Sequence, residues 1–148
     1  MTDAPTAGLL RDGAHFLPVR VYYEDTDFTG VVYHASYLRF FERGRTDYLR
    51  LAGVHHNELW TRQEPLAFTV RSLTIDYLKP ARVDDALLVE TRFSSFRGAA
   101  VGINQLLTCE GAVLAQALVK VVLVNGQGRP RRPDSELRQA LAGTPRTP

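Results

Sequence analysis

The chain has 148 residues, a formal net charge of +2 and a hydrophobic content of 45%. Its length allows one domain with a sizeable core but not two ordinary domains, and its apolar content is typical of a soluble globular protein. No apolar run approaches the roughly 20 residues of a membrane-spanning helix, and the single cysteine, Cys109, excludes an intrachain disulfide framework and a cysteine-based zinc site.

The first third of the chain predicts one strand, one loop and one long helix. Residues 1–17 show no hydrophobic periodicity, so we expect a loose lead into the domain, and they lack the basic and apolar regions of a secretory signal. Apolar and polar side chains alternate over residues 18–25, which predicts a strand. Residues 26–33 are expected to form a loop. Apolar residues at helical spacing then predict a helix over about residues 35–52.

The remainder of the chain is typical of a sheet. Four stretches rich in β-branched and aromatic residues, separated by turn signals, predict long strands in hairpin succession: residues 66–78, 86–96, 99–109 and 112–124. The last stretch is almost wholly apolar, so we expect a central strand covered on both faces. Asp134 or Ser135 is expected to cap a short helix that ends at Leu141. Residues 143–148 are expected to be a frayed tail.

This order of elements predicts an α+β fold, with one domain over residues 18–142. One helix can cover only one face of a five-stranded antiparallel sheet. The edges of the sheet, or its remaining apolar surface, therefore need a partner, and homodimerisation supplies one.

The segment over residues 22–45 carries the chemistry of the chain. It reads YYEDTDFTGVVYHASYLRFFERGR and places three acidic residues, a glycine and a histidine directly ahead of the predicted helix. A carboxylate at this place can attack, or activate water against, a carbonyl that the helix end polarises, because backbone N–H groups and the helix dipole favour negative charge there. The parts of an acyl-transfer site are thus present in one short segment.

Residues 19–45, VRVYYEDTDFTGVVYHASYLRFFERGR, closely resemble the 4-hydroxybenzoyl-CoA thioesterase family of hotdog-fold enzymes, and most closely its Tol-Pal-associated, YbgC-type acyl-CoA thioesterase branch. The similarity continues through residues 71–85 and 96–98. The resemblance implies a hotdog fold, in which a five-stranded antiparallel sheet wraps around one long central helix. It implies a homodimer with sites at the subunit interface, often assembled into a homotetramer. It also implies hydrolysis of acyl-CoA without a metal or redox cofactor, since coenzyme A is part of the substrate.

Carried over position by position, the catalytic aspartate of the family falls on Asp27. This residue either attacks the thioester to give a mixed anhydride or acts as general base on water, and a simple turn cap is the alternative reading. His34, preceded by Tyr33, matches the histidine of the branch, and its backbone N–H matches the donor to the thioester carbonyl. The His34 side chain either orients water, shuttles a proton or hydrogen-bonds Asp27, or has no chemical task. Glu42 is the alternative catalyst, because another hotdog branch uses a helix carboxylate.

Substrate-binding candidates surround these positions. Gly30 allows a turn and a close approach of substrate. The aromatic candidates for the walls of the acyl pocket, which favour a short aliphatic or aromatic acyl group, are Tyr37, Phe41 and Tyr77. The cations near predicted strand ends, candidates for binding the phosphates of CoA, are Lys79, Arg82 and Arg97. The other histidines have no metal-ligand spacing, so no metal site is expected.

The charge distribution limits the partners. Residues 129–148 hold five arginines against Asp134 and Glu136, a charge of +3, which leaves −1 for the rest of the chain. This is a basic tail on a near-neutral domain and not a nucleic-acid-binding surface. The R-P-R-R run at residues 129–132 either meets a phosphate or is solvated. The expected partners are acyl-CoA, further copies of the chain, and an acyl carrier protein or a cell-envelope partner. We expect a cytoplasmic protein, free or peripheral at the inner face of the cell membrane.

Two other functions compete with hydrolysis. A hotdog hydratase or dehydratase needs a paired histidine and acid to move water across a carbon–carbon double bond, and the sequence lacks its signature. A noncatalytic acyl-thioester-binding or carrier-protein-binding protein of the cell envelope would need no Asp27. A thiol-release assay distinguishes the three.

Overall fold

The structure is a computed structural model that describes residues 3–5 and 7–143. Within these residues one antiparallel sheet packs against one long helix. The strands are β1 (Leu9–Arg11), β2 (Ala14–Arg20), β3 (Leu66–Tyr77), β4 (Ala86–Arg97), β5 (Ala100–Cys109) and β6 (Ala112–Asn125). The α-helices are α1 (Ser36–Leu51), α2 (His56–Trp60) and α3 (Ser135–Leu141). The strand order is β1-β2-β4-β5-β6-β3, and every neighbouring pair is antiparallel.

Helix α1 supplies the centre of the core. Its inward side chains, including Tyr37, Phe40, Phe41 and Tyr48, are almost fully buried. The helix also comes unusually close to the sheet at Gly44. A Cβ at Gly44 would lie 2.7 Å from Val89 Cγ1 and 2.8 Å from Thr91 Oγ1 on β4. The absence of a side chain at this position therefore sets the distance between α1 and β4.

The N-terminal segment differs from the sequence-based expectation. Residues 9–17 do not form a loose lead, because β1 and the first part of β2 belong to the sheet, which thus has six strands and not five. A buried polar pair anchors this segment. Asp47 Oδ2 lies 2.7 Å from Nε2 of the fully buried His15 and accepts a hydrogen bond of 2.8 Å from the Gly8 N–H. The predicted strand over residues 18–25 also ends at Arg20, and a 3₁₀ turn follows at Tyr23–Asp25.

The strand succession after α1 was only partly predicted. Strands β4, β5 and β6 form consecutive hairpins, but β3 pairs with β6 and not with β4. The connection between β3 and β4 crosses one end of the sheet, where the N–H groups of Leu78 and Lys79 donate to Leu114 O. As a result β3 is an edge strand. No strand of the described residues pairs with its outer side.

The sequence predicted that β6 is covered on both faces. In the structure, only one face is covered along its length. Side chains on one face pack on α1 and the core, whereas Gln116, Leu118 and Lys120 on the other face are exposed. Leu118 is 57% exposed despite its central place. The fold of the single chain therefore leaves part of the apolar surface of β6 exposed.

The C-terminal helix forms as predicted. Asp134 is its N-cap, and Asp134 Oδ1 accepts a hydrogen bond of 2.8 Å from the Leu137 N–H. The Tyr48 hydroxyl donates to Leu141 O at 2.7 Å and ties α3 to α1. Residues 144–148 of the predicted tail lie outside the described residues. Among those residues, no helix is long and apolar enough to cross a membrane.

Candidate active site

The loop between β2 and α1 holds Asp27 in a defined backbone geometry. The loop folds back on itself through a bridge between Thr26 and Val32, and the Asp27 N–H donates to Val31 O at 2.9 Å. Gly30 has a φ of +85°, which a side chain would disfavour, and its N–H donates to Asp27 O. The turn at Gly30 therefore directs Asp27 to one side of the loop.

One neighbour, Thr29, holds the Asp27 carboxylate in place through two hydrogen bonds to the same oxygen. Its Oδ1 accepts hydrogen bonds from the Thr29 N–H at 2.7 Å and from the Thr29 hydroxyl at 2.6 Å. The Thr29 hydroxyl, and then its N–H, lower the pKa of Asp27 below its usual value. The backbone N–H groups of Val31 and Gly30 lower this pKa further, with a smaller effect than Thr29. An ionised carboxylate that is held in one orientation can serve as a nucleophile or a base.

The start of α1 offers unsatisfied donors. Its N-cap residue, Ala35, makes no side-chain capping bond, and the first turn contains no acid. Among the described residues, the backbone N–H groups of His34 and Ala35 have no acceptor. These groups and the helix dipole can stabilise negative charge on a carbonyl oxygen. Asp25 fixes the chain ahead of this loop, because its buried carboxylate accepts a hydrogen bond of 2.8 Å from the Tyr22 N–H.

Two aromatic residues support the helix start. The Tyr77 hydroxyl donates to His34 O at 2.8 Å, and the Tyr77 ring meets Tyr37 edge-on with 5.0 Å between centroids. Burial, and then the neighbouring Tyr37, raise the pKa of Tyr77. The His34 ring is exposed and lies 4.4 Å from the Tyr33 ring. By contrast, Phe41 is fully buried in the core and reaches no surface of the chain, so it does not form the predicted wall of an acyl pocket.

The candidate phosphate ligands fall at two ends of the sheet. Arg82 pairs through its backbone with Val31, beside Asp27, and Lys79 lies in the same crossing connection. Arg97 is the last residue of β4, at the opposite end. Within a single chain, Arg97 therefore does not lie near Asp27.

A groove and a smaller apolar cavity are among the cavities that flank α1, and neither is lined by Asp27, Tyr33 or His34. A groove of about 730 Å³ lies between α1 and β2, and charged side chains line much of it. A smaller cavity of about 230 Å³ lies between α1 and β3; we call it the β3 cavity. The apolar side chains that line the β3 cavity are Leu49, Phe68, Val70, Phe93, Ile103 and Val121. Its polar lining comes from Glu42, Arg45, Thr46 and His56. Glu42 also lines the groove, so it reaches two cavities that Asp27 does not line.

Sequence reasoning missed Thr29 and most of the β3 cavity. The spacing Asp-x-Thr carried a signal for Thr29, because aspartate commonly accepts from the backbone two residues later. The cavity residues had no such signal, since they come from six separate elements. No cluster of three or more possible metal ligands occurs within residues 3–5 and 7–143.

Comparison with known proteins identifies the family. The sequence profile of the thioesterase-like superfamily matches residues 21–141. The acyl-CoA thioesterase YbgC of Haemophilus influenzae is 46% identical over 131 residues, which cover 88% of this chain and 96% of that protein. The acyl-CoA thioester hydrolase YbgC of Escherichia coli O6:H1 is 47% identical over 109 residues, which cover 73% of this chain and 80% of that protein. The crystal structure of a probable thioesterase from Bartonella henselae is 42% identical with a TM-score of 0.79, and the match covers 81% of this chain and 98% of that one. The chain therefore belongs to the thioesterase-like superfamily of the hotdog fold, in the branch of the YbgC-type acyl-CoA thioesterases.

Proposed function

We propose that the protein hydrolyses acyl-CoA thioesters to the free acid and CoA, with a preference for short aliphatic or aromatic acyl groups. One observation carries the assignment of the site. The Asp27 carboxylate has a lowered pKa, is oriented by Thr29, and precedes the uncapped N-terminus of α1. The comparisons support the class of reaction, because the similar proteins are acyl-CoA thioesterases.

The mechanism follows from these groups in either of two ways. As a nucleophile, Asp27 attacks the thioester carbon, the CoA thiolate leaves and takes a proton from water, and a second water hydrolyses the mixed anhydride. As a general base, Asp27 takes a proton from water, the resulting hydroxide attacks, and the proton passes to the departing thiolate. In both, the N–H groups of His34 and Ala35 stabilise the oxyanion, a contribution of about 3 kcal/mol per donor in well-formed sites.

A homodimer would complete this site, and β3 is the surface that we propose for it. β3 is twelve residues long and its outer edge is unpaired within the described chain. Antiparallel pairing with the same strand of a second copy satisfies this edge and gives a two-fold interface. In that arrangement the Leu66 end of one β3 lies beside the Tyr77 end of the other.

The same pairing assigns a place to the acyl group. The β3 cavity is at the Phe68 and Val70 end of β3, so it would face the partner's Tyr77 and His34. The acyl group of a substrate whose thioester lies at the partner's Asp27 would thus occupy an apolar cavity of about 230 Å³. This volume suits a short or aromatic group. Discrimination within this class is expected to be modest, since one methylene changes binding by about 1–3 kcal/mol. Tyr37 and Tyr77 then form the wall nearest the thioester.

Thiol release from acetyl- through palmitoyl-CoA and from benzoyl-CoA tests the reaction and the acyl range. Asp27→Asn is expected to lower kcat by at least about 10²-fold, because it removes the base or nucleophile at nearly constant volume. Glu24→Gln is the matched control, since Glu24 is an exposed acid of the same segment. Near-normal turnover by pure Asp27→Asn protein would refute the assignment, and a steep preference for palmitoyl-CoA would refute the acyl range.

Light scattering at micromolar concentration tests the assembly. A dimer, or a dimer of dimers in which further surface such as that around Leu118 is covered, is the expected result. A protein that is only monomeric, yet active, would show that the site needs no second copy.

Two finer features belong to the same proposal. An acyl carrier protein presents the same thioester on a phosphopantetheine arm, so we propose it as an alternative donor, and equal kcat/KM for acyl-CoA and the matching acyl carrier protein would support it. We also propose a cytoplasmic location, free or peripheral at the inner face of the cell membrane or with a cell-envelope partner. Fractionation of cells that express the protein at native level would test this location.

A further inference from the structure

A half-buried cation on α1 lies among the apolar side chains of the β3 cavity. Arg45 lines this cavity, and its Nη1 donates to Gln105 Oε1 at 3.0 Å. Gln105 is only 1% exposed, and its own Nε2 donates to Phe41 O at 2.8 Å and to Thr91 Oγ1 at 2.9 Å. This chain of hydrogen bonds begins in the core, so it holds the Arg45 guanidinium in one position at the cavity wall.

The Arg45 guanidinium keeps most of its hydrogen-bonding capacity for a ligand. A guanidinium carries several N–H donors, and the bond to Gln105 uses one of them. Within residues 3–5 and 7–143, no carboxylate forms an ion pair with Arg45. Burial lowers the pKa of Arg45, and the charge of Glu42, one turn earlier on α1, opposes this effect. Glu42 is exposed and also lines the groove on the other side of α1, so it is not a fixed partner of the cation.

The unpaired donors of Arg45 select among short acyl groups. A wholly apolar acyl group would displace water from these donors without replacing its hydrogen bonds, which is unfavourable at a half-buried site. A carboxylate at the far end of the acyl group would instead pair with the planar guanidinium through charge-assisted, bidentate hydrogen bonds. The Thr46 hydroxyl lines the same cavity and can donate to the same carboxylate. The apolar walls would then surround the methylenes between the carboxylate and the thioester.

The position of Arg45 along α1 decides which active site it serves. Arg45 lies nine residues after Ser36, so it is roughly 14 Å from the start of its own helix. The cavity is lined by the first half of β3, which in the proposed dimer lies beside the partner's Tyr77. An acyl group that extends from the partner's Asp27 into this cavity therefore points toward Arg45.

We propose that the preferred substrates carry a short acyl group that ends in a carboxylate, and that Arg45 binds this carboxylate while the thioester lies at the partner's Asp27. The substrate class is thus the mono-CoA thioesters of short dicarboxylic acids. Such selectivity exceeds what apolar walls provide, because a site built to pair a polar group rejects an analogue without it more strongly than a pocket rejects a missing methylene. The inference deepens the proposed function and rests on it and on its β3 dimer.

Three substrates of matched length test this selectivity on the unaltered protein. Glutaryl-CoA carries the distal carboxylate, 5-methylhexanoyl-CoA carries an isopropyl group of similar shape in its place, and the methyl ester of glutaryl-CoA carries uncharged oxygens. The kcat/KM for glutaryl-CoA is expected to exceed each of the other two values by about tenfold, the gain expected from charge-assisted hydrogen bonds at a half-buried site. A preference for 5-methylhexanoyl-CoA, or equal values for glutaryl-CoA and its methyl ester, would overturn the inference.

Arg45→Gln tests whether the preference arises at Arg45. This variant is expected to lower kcat/KM for glutaryl-CoA by about tenfold and to leave that for 5-methylhexanoyl-CoA within about twofold. A partly unfolded sample would lower both values alike, so it cannot imitate this change in their ratio. Arg43→Gln is the control of equal charge change, since Arg43 is exposed on the same helix and lines the groove and not the β3 cavity. A preference for glutaryl-CoA that survives in Arg45→Gln would overturn the inference.

A mixed dimer tests the contribution across the interface. Coexpression of Asp27→Asn with a differently tagged Arg45→Gln chain gives a heterodimer whose one intact Asp27 faces the intact Arg45 of the other chain. This heterodimer is expected to keep the wild-type preference for glutaryl-CoA. Loss of the preference would show that Arg45 acts on the Asp27 of its own chain and would overturn the inference. Failure of the proposed function would look different, since the wild-type protein would then release thiol from none of the three substrates.

Discussion

Replacement of Gly44 by alanine tests the packing on which the site is built. The new methyl group would meet Val89 Cγ1 at 2.7 Å, Thr91 Oγ1 at 2.8 Å and Gln105 Nε2 at 3.2 Å. Val89 and Thr91 are fully buried and β-branched, so neither can move away by a change of rotamer. Gln105 is also held, because its Nε2 donates to Phe41 O at 2.8 Å and to Thr91 Oγ1 at 2.9 Å.

The expected free-energy change is the balance of two effects. Alanine is favoured over glycine inside a helix by about 1 kcal/mol. Overpacking typically costs about 1–3 kcal/mol, and loss of the Gln105 bond to Phe41 O adds about 1–3 kcal/mol if that carbonyl is left unsatisfied. With the Gln105 bond lost, Gly44→Ala is therefore expected to be destabilising by roughly 1–5 kcal/mol, despite its better helix propensity.

Urea unfolding measures this change, at matched protein concentration because the proposed dimer would make stability depend on concentration. Gly126→Ala is the control, because a Cβ there would have only ordinary contacts with Pro65, at 3.8 and 3.9 Å. A Gly44→Ala protein as stable as the wild type, or more stable, would show that α1 does not approach β4 as closely as described.

Two further variants probe the site and the C-terminal helix. Thr29→Val removes the largest cause of the lowered pKa of Asp27, so this pKa should rise toward its ordinary value and the acidic limb of kcat/KM should move to higher pH, with the rate near neutrality retained. An acidic limb that stays in place would show that Asp27 ionisation does not control the rate. Tyr48→Phe removes the hydroxyl bond to Leu141 O and is expected to reduce stability by about 1 kcal/mol and to speed amide exchange in α3 more than in β5. Burial raises the pKa of Tyr48 to about 12, so this hydroxyl is a neutral donor throughout the assay range, and equal exchange in wild type and variant would contradict its role.

The sequence predicted the bounds of the helices and strands better than it predicted which strands pair. Alternating and helical periodicities place β4, β5, β6 and α1 within one or two residues, because burial of one face imposes those periods on the chain. Periodicity does not say which strand lies next to which. The pairing of β3 with β6, set by contacts between distant residues, therefore escaped prediction.

Buried polar residues were the other source of error. His15 and Asp47 are polar in the sequence, yet they occupy core positions because they bind each other. Such pairs are exceptions to the rule that polar residues lie at the surface. No pattern within residues 1–17 predicts that His15 has a partner 32 positions away. The motif over residues 22–45 predicted the loop and the helix start of the site. It could not predict the β3 cavity, because that cavity depends on the packing of separate elements.

The place of β3 in the chain has a consequence for biosynthesis. The ribosome completes residues 66–77 before it makes any residue of β6, the strand that pairs with β3. During that interval a stretch rich in β-branched and aromatic residues has both backbone edges free, a condition that favours pairing with other chains. Its sequence, LAFTVRSLTIDY, interrupts the apolar positions with Arg71 and Asp76. Charges within such a stretch oppose aggregation, so we expect these two residues to protect the nascent chain before the folded sheet exists.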